Sequence, residues 1–581
     1  MKFQNSGFSR RLATCFAALS LFVSVLAASV PINASWREPV RGKNAMVVAD
    51  QEIASKVGVE ILKKGGNAVD AAIAVGLALA VVFPEAGNIG GGGFMMIRTK
   101  DGAAHAIDYR EMAPGAASRD IYVDKNGKLI TGEGSSLIGY RASGVPGTLA
   151  GFEIAFKKYG SGKLTWRELV EPARLLAVKG FRLESWQAGD LGSPRSVLAK
   201  NDESKRIFQN NGKYLAEGDL LAQPELAQTL GRVQRLGARE FYSGLTAKMI
   251  AADMKAHNGL ITLDDLKNYQ AKERTPLIGN YRGHQIITMP PPSSGGVVIL
   301  QILNMLEAYD VRAMEYNSAA KYQVMTEAMR RGFADRAVYM GDPDFFAFPV
   351  APLIDKKYAE KRGATIDLVK ATPSSTIGPG EVPGYESMQT TNYTVVDSAG
   401  NIVVNTYTLN NGFGSGVTIK GTGILMNNEM DDFAAQPGKP NGFGLIQGER
   451  NSVQPRKRPL SSMTPTIVLR KDGTPWFGLG AQGGPTIISA ILQGIVNVID
   501  HQMNIQQAID APRIHHQWYP DQILYEPFGI SPDTKKLLES YGQKFVGRPQ
   551  YFAGATAIMI GEDGVRLGAE DSRSPGAAVG Y

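Results

Sequence analysis

Thr390 and Thr391 follow residues 371–388, a stretch rich in Pro, Ser and Gly with almost no hydrophobic period. Such a stretch reads as an exposed linker, and it stops abruptly at Gln389. A threonine hydroxyl is a weak nucleophile and needs a base. If the chain breaks just before Thr390, the new α-amino group lies beside that residue's own Oγ. An α-amine with a pKa of about 7.7–8.0 suits general-base work near neutral pH. Such a site needs an accessible linker upstream, a threonine that opens a strand, and an oxyanion hole. Paired threonines are common in strands, so the reading rests on these features together.

The flanking pattern predicts the elements that would position the nucleophile. Residues 390–396 and 402–409 alternate as strands around the turn Asp397-Ser398-Ala399-Gly400-Asn401. A three-residue loop ending in a left-handed glycine centres the hairpin on Ala399, which sets Thr390 opposite Thr408. Directly opposed residues have Cβ atoms about 4.5–5.5 Å apart. Further on, strands over 466–469 and 476–479 lead through Gly480–Gly484 into a helix with Ile487, Ile491, Ile495 and Val498 on one face. Gly483 and Gly484 then lie at a helix N-terminus, where backbone N–H groups point outward and can hold an oxyanion.

The rest of the chain narrows the alternatives. At 581 residues it exceeds one ordinary core. Lys2, Arg10 and Arg11 followed by the apolar run 12–28 and small residues read as a signal peptide over about 1–34. The only cysteine, Cys15, falls in that leader, so the exported chain would have no disulfide, thiol nucleophile or thiolate metal site. The leader also carries three of the +7 net charge, leaving +4 on scattered residues. That is no nucleic-acid stripe, and Arg456-Lys457-Arg458 reads as a solvated turn. His515 and His516 read as structural. There is no GxSxG, P-loop or HExxH. Asp50 and Asn67 are expected to cap two helices, the second ending before Pro84, and Gly87–Gly93 to form a loop entering a strand. Residues 149–281 are mostly helical in pattern, PPPSSG over 290–295 is a rigid turn, and a helix follows from about Val297 to Leu306.

Several runs, taken in order along the chain, resemble the γ-glutamyltransferase (γ-glutamyltranspeptidase) family. They are Asp108-Tyr-Arg-Glu-Met-Ala-Pro114, the PPPSSG turn, Gln389-Thr-Thr-Asn-Tyr-Thr-Val-Val-Asp397 and Thr406-Tyr-Thr-Leu-Asn410. Asn427-Asn-Glu-Met-Asp-Asp-Phe433, Arg458-Pro-Leu-Ser-Ser-Met463 and Gly480–Gly484 complete the set. The resemblance implies an α/β (α+β) N-terminal nucleophile hydrolase, a four-layer αββα sandwich built jointly by a large subunit, 35–389, and a small subunit, 390–581. It implies that the precursor cuts itself and that no cofactor or metal takes part. The expected substrates are glutathione and other γ-glutamyl compounds, with water, an amino acid or a dipeptide as acceptor. The expected location is the periplasm or the medium, with no membrane anchor and no nucleic-acid partner.

By the same resemblance Thr390 is the nucleophile, Thr408 bonds its hydroxyl, and Gly483 and Gly484 hold the oxyanion. Arg110, Ser461 and Ser462 bind the substrate α-carboxylate, and Asn410, Glu429 and Asp432 its α-amino group. Of Asp431 and Asp432, only one is expected to face the site. Residues 438–448 look like a lid, with Phe443 where a tyrosine is common, and Asn392 stands where many relatives have histidine. Two rival readings remain: a glutaryl or cephalosporin acylase of the same fold, which would need no ammonium site, and a non-catalytic solute-binding protein, which would not self-cleave.

Overall fold

The computed structural model describes residues 37–347, 350–378, 390–439, 441 and 444–581. The expected leader, Gln389 and Phe443 lie outside the described residues. Residues 39–581 form one compact unit, and no described helix is long and apolar enough to cross a membrane.

Two seven-stranded antiparallel sheets make its centre. The sheet that Thr390 leads into runs, edge to edge, through Ala577–Gly580, Met46–Ala49, Thr391–Val396, Ile402–Thr408, Gly92–Arg98, Ala104–Tyr109 and Lys272–Arg274. Its two central strands are rich in Val, Ile, Thr and Tyr, which fit a pleated surface. They are buried throughout because both faces are covered. Period-two alternation sorts the faces: Met46, Val48, Phe94, Met96, Val396, Ile402 and Val404 point towards the second sheet. Val47, Ala49, Met95, Ile97, Val395 and Val403 point to a helical layer containing Glu52–Lys63 and Ala68–Val82.

The second sheet runs Val40–Gly42, Arg566–Glu570, Ala555–Ile560, Pro475–Ala481, Thr466–Leu469, His284–Thr288 and Leu277–Tyr281. Its outer face is covered by Gly295–Leu306, Ala319–Tyr339 and Thr486–Ile499, so the layers are helix, sheet, sheet, helix as expected. The sheets approach closely at the strand Ile402–Thr408. A Cβ at Gly478 would come within 2.9 Å of Val404 and 3.0 Å of Ile402. Asn392 ties the layers together there: its Oδ1 accepts from Thr556 N at 3.1 Å and Thr556 Oγ at 2.6 Å.

The hairpin has the expected register, with Thr391 opposite Tyr407 and Val396 opposite Ile402. Gly400 closes the turn at φ +87°. Asn67 caps Ala68–Val82, the PPPSSG turn leads into Gly295–Leu306, and eight helices fill 148–268. Four expectations need correction. Gln51, not Asp50, caps Glu52–Lys63; Asp50 turns inward because its carboxylate accepts from Thr391 Oγ at 2.7 Å and Asn392 N at 2.9 Å. Residues 272–274 and 277–281 are edge strands, not part of the helical region. The first part of the expected linker is tied down, with Ser374 N donating to Asp521 and Trp518 Nε1 to Ser374 O. Finally, Lys457 and Arg458 are buried, because the chain here dives in to deliver Pro459–Ser462 to the site. Lys457 Nζ donates to Ser452 O, and Arg458 bonds Gln270 O and Asp342.

Candidate active site

Thr390 stands immediately before a central strand and is only 4% exposed. Its Oγ lies 3.5 Å from Thr408 Oγ, as the hairpin register requires. Thr408 Oγ in turn accepts from Asn410 N at 2.8 Å. Asn410 sits at φ +78°, a conformation that non-glycine residues adopt at a cost of about 1–3 kcal/mol. The bend turns the chain out of the strand and sends Asn410 to the wall of the cavity in front of Thr390.

That cavity is lined by Thr390, Thr408, Asn410, Arg110, Glu429, Asp432, Ser461, Ser462 and Gly484, together with Arg336 and the apolar side chains of Leu445, Leu460, Met463, Pro485 and Ile487. Nine of the eleven expected site residues therefore meet. Gly483 lines the adjoining pocket, and Phe443 is not described, although Leu445 of the same segment does reach the cavity. Gly483 and Gly484 take φ values of +119° and +56°, which favour glycine. They stand directly before Thr486–Ile499, whose N-terminal dipole is positive towards the cavity.

On the opposite wall, Arg110 is a buried guanidinium with three carboxylates around it. Nη1 bonds Glu429, Nη2 bonds Asp432, and Glu111 lies 3.7 Å away. Burial works against the charge on Arg110, but the attraction of Glu429, Asp432 and Glu111 outweighs it and keeps the guanidinium charged. The carboxyls do not ionise equally. Burial pushes Glu111 up to about 7, and it pushes Glu429 well above its ordinary range despite Arg110. Asp431, beside Asp432, turns away and accepts from Ser136 Oγ at 2.7 Å. Only Asp432 of that pair faces the site.

The serines are set by the PPPSSG turn. Ser461 N donates to Pro292 O at 2.9 Å, Ser294 N and Oγ donate to Ser461 O, and Ser293 Oγ donates to Met463 O at 2.7 Å. Arg336 and Glu111 are residues that sequence reasoning passed over. Arg336 belongs to Ala319–Tyr339, a helix whose six charged residues are all buried; its own sequence gives no signal of this, because a helix without a clean apolar stripe ordinarily reads as solvent-facing. Glu111 was visible within the 108–114 run but had no role. His515 and His516 are enclosed by Ser489, Gln517, Arg330 and Asp521, and burial pushes both down to about 4. They pack the core beneath Thr486–Ile499.

Two stacked antiparallel sheets between helical layers, with a threonine at the head of a central strand, define an N-terminal nucleophile hydrolase. The gamma-glutamyltranspeptidase family model matches residues 54–581. A glutathione hydrolase proenzyme of Escherichia coli is 50% identical over 92% of this chain and 91% of its own. One from Pseudomonas sp. strain A14 is 47% identical over the whole of both chains. A cephalosporin acylase structure from Bacillus halodurans is similar with a TM-score of 0.82, at 26% identity, over 95% of this chain and 98% of that one. The chain belongs to the gamma-glutamyltranspeptidase family.

Proposed function

We propose that this protein is a γ-glutamyltransferase and glutathione hydrolase that activates itself by cleavage between Gln389 and Thr390. The observation that carries the reading is the shared cavity. A threonine hydroxyl paired with a second threonine faces a wall where the buried Arg110 guanidinium meets Glu429 and Asp432, with serine hydroxyls beside it. A γ-glutamyl group bears a carboxylate and an ammonium on one carbon, and this wall offers a complement to each.

In the precursor, Thr390 Oγ attacks the Gln389 carbonyl carbon, the peptide C–N bond breaks, and water hydrolyses the resulting ester. This frees the Thr390 α-amine and gives a large subunit, 35–389, and a small one, 390–581. The amine then takes the Oγ proton as Oγ attacks the γ-carbonyl of the donor. Backbone N–H groups at Gly483 and Gly484 hold the oxyanion. The leaving amine, cysteinylglycine in the case of glutathione, departs with the proton. Water or the amine of an amino acid or dipeptide then opens the glutamyl ester. Arg110, Ser461 and Ser462 take the α-carboxylate; Asn410, Glu429 and Asp432 take the ammonium. The basic and apolar leader is consistent with export to the periplasm or medium.

Purified protein run on a denaturing gel should give two bands, the smaller beginning Thr-Thr-Asn-Tyr, with γ-glutamyl anilide hydrolysis. Thr390→Ala should remain one chain and be inactive. An uncleaved wild type of full activity would overturn the reading.

A further inference from the structure

Arg336 is a buried cation with spare donors on the wall of the active-site cavity. It is 1% exposed. Its Nε donates to Ser294 Oγ at 2.8 Å and its Nη2 reaches Ser462 Oγ at 3.4 Å, while Nη1 has no hydrogen-bond partner. None of the described carboxylates is ion-paired with it. A buried charge without a counter-ion is costly, and burial accordingly lowers its pKa to about 10, only partly offset by the field of Asp432. Ionisable groups perturbed in this way cluster at sites that bind ligands, and this one lines the cavity in front of Thr390.

Arg110 is differently placed. Its two terminal nitrogens are already taken by Glu429 and Asp432. The carboxyls of this wall, Glu429, Asp432 and Glu111, all gather on Arg110, and Arg336 has none of them. A ligand that brings one anion and one cation would add no net charge to the wall and would give Arg336 the partner it lacks. The anion would be drawn to the uncommitted guanidinium beside Ser462, the cation to Glu429 and Asp432.

We propose that Arg336 is a substrate-binding residue whose free Nη1 donates to the α-carboxylate of the γ-glutamyl group, sharing that carboxylate with Ser462, and with Arg110 once the substrate ammonium draws Glu429 and Asp432 to itself. This rests on the γ-glutamyl reading above and adds a second guanidinium to it.

The test compares two anilides: L-γ-glutamyl p-nitroanilide, and 4-aminobutyryl p-nitroanilide, which keeps the chain and the ammonium but lacks the carboxylate. Arg336→Gln should lower kcat/KM on the γ-glutamyl compound roughly 10- to 100-fold, the range for losing a hydrogen bond between charged groups, chiefly through KM. On the 4-aminobutyryl compound it should have little effect. Arg336→Lys, which keeps the charge but not the fork, should fall between wild type and Gln on the first substrate alone. Both variants should still be cleaved into two subunits. Equal losses on the two substrates, or no loss on the γ-glutamyl one, would overturn the proposal. If the Gln variant does not fold, the Lys variant decides by the same comparison. Failure of the underlying reading is separate, because it shows in the wild type as no turnover of the γ-glutamyl anilide.

Discussion

Replacing Asp432 by Asn removes one negative charge from the cavity wall and keeps its shape. In wild type the Asp432 side chain is 14% exposed, whereas those of Arg110 and Glu429 are 1% exposed. Truncating one side of a buried, hydrogen-bonded charge pair costs about 2–5 kcal/mol. The residual exposure of Asp432 places it in the lower half of that range, about 2–3 kcal/mol, or roughly 30- to 150-fold in kcat/KM for a γ-glutamyl substrate. A glutaryl group has the carboxylate but no ammonium. It leaves Glu429 and Asp432 with no cation beyond Arg110 while adding a negative charge, so the wild type should prefer the γ-glutamyl compound by at least roughly tenfold. In Asp432→Asn, Arg110 Nη2 is released from its carboxylate and becomes available to the glutaryl anion. The preference should therefore narrow from both sides. The assay is kcat/KM of the processed wild type and variant on matched γ-glutamyl and glutaryl p-nitroanilides. Asp431→Asn is the control, since Asp431 is held by Ser136 and its change should leave the ratio alone. A wild type that favours the glutaryl compound would establish the acylase reading. An unchanged ratio in Asp432→Asn would remove Asp432 from ammonium binding.

Gly484→Val should lower turnover roughly a hundredfold or more, matching the loss of about 2.7–4 kcal/mol when one oxyanion donor goes, because φ +56° at this residue is strained for a branched side chain. Unchanged turnover in a folded, cleaved variant would exclude the glycine pair from the mechanism. Asp50→Asn should raise thermal stability near pH 7.5 and much less near pH 4. Burial lifts the folded-state pKa of Asp50 from 3.8 to about 6, so its contribution is most favourable below 3.8 and declines as pH rises to about 6. The loss amounts to about 3 kcal/mol, which the amide avoids while its oxygen still accepts from Thr391 and Asn392. A pH-independent difference in Tm between variant and wild type would refute that account.

The local features of this chain were readable because they depend on neighbours in sequence. The Thr390–Thr408 pairing followed from a turn of known type, and the Gly483–Gly484 step from a strand running into a periodic helix. Features set by long-range packing were not. Asp50 looks like a helix cap until the strand carrying Thr391 and Asn392 is laid beside it. Lys457 and Arg458 look solvated because nothing in their own stretch shows that Asp342, Gln270 and Ser452 enclose them. Arg336 is one arginine among several on a 21-residue helix, and its value comes from Ser294 and Ser462, each dozens of residues away.

The same distinction bears on substrate choice. The proposed hairpin nucleophile and glycine oxyanion site would serve acyl transfer in general, and the fold is similar to that of a cephalosporin acylase. Neither feature selects a γ-glutamyl group. Selection has to come from the opposite wall, where two buried guanidinium groups stand with the carboxyls of Glu429, Glu111 and the part-buried Asp432. Burial makes an unpaired charge expensive there, so the wall penalises a ligand carrying net charge and accepts one whose charges cancel. It also penalises a zwitterion of the wrong spacing, because the partners are held by backbone bonds to the PPPSSG turn and by the one-turn helix Glu429–Asp432. A carboxylate and an ammonium on a single carbon, three bonds from the reacting carbonyl, satisfy both conditions.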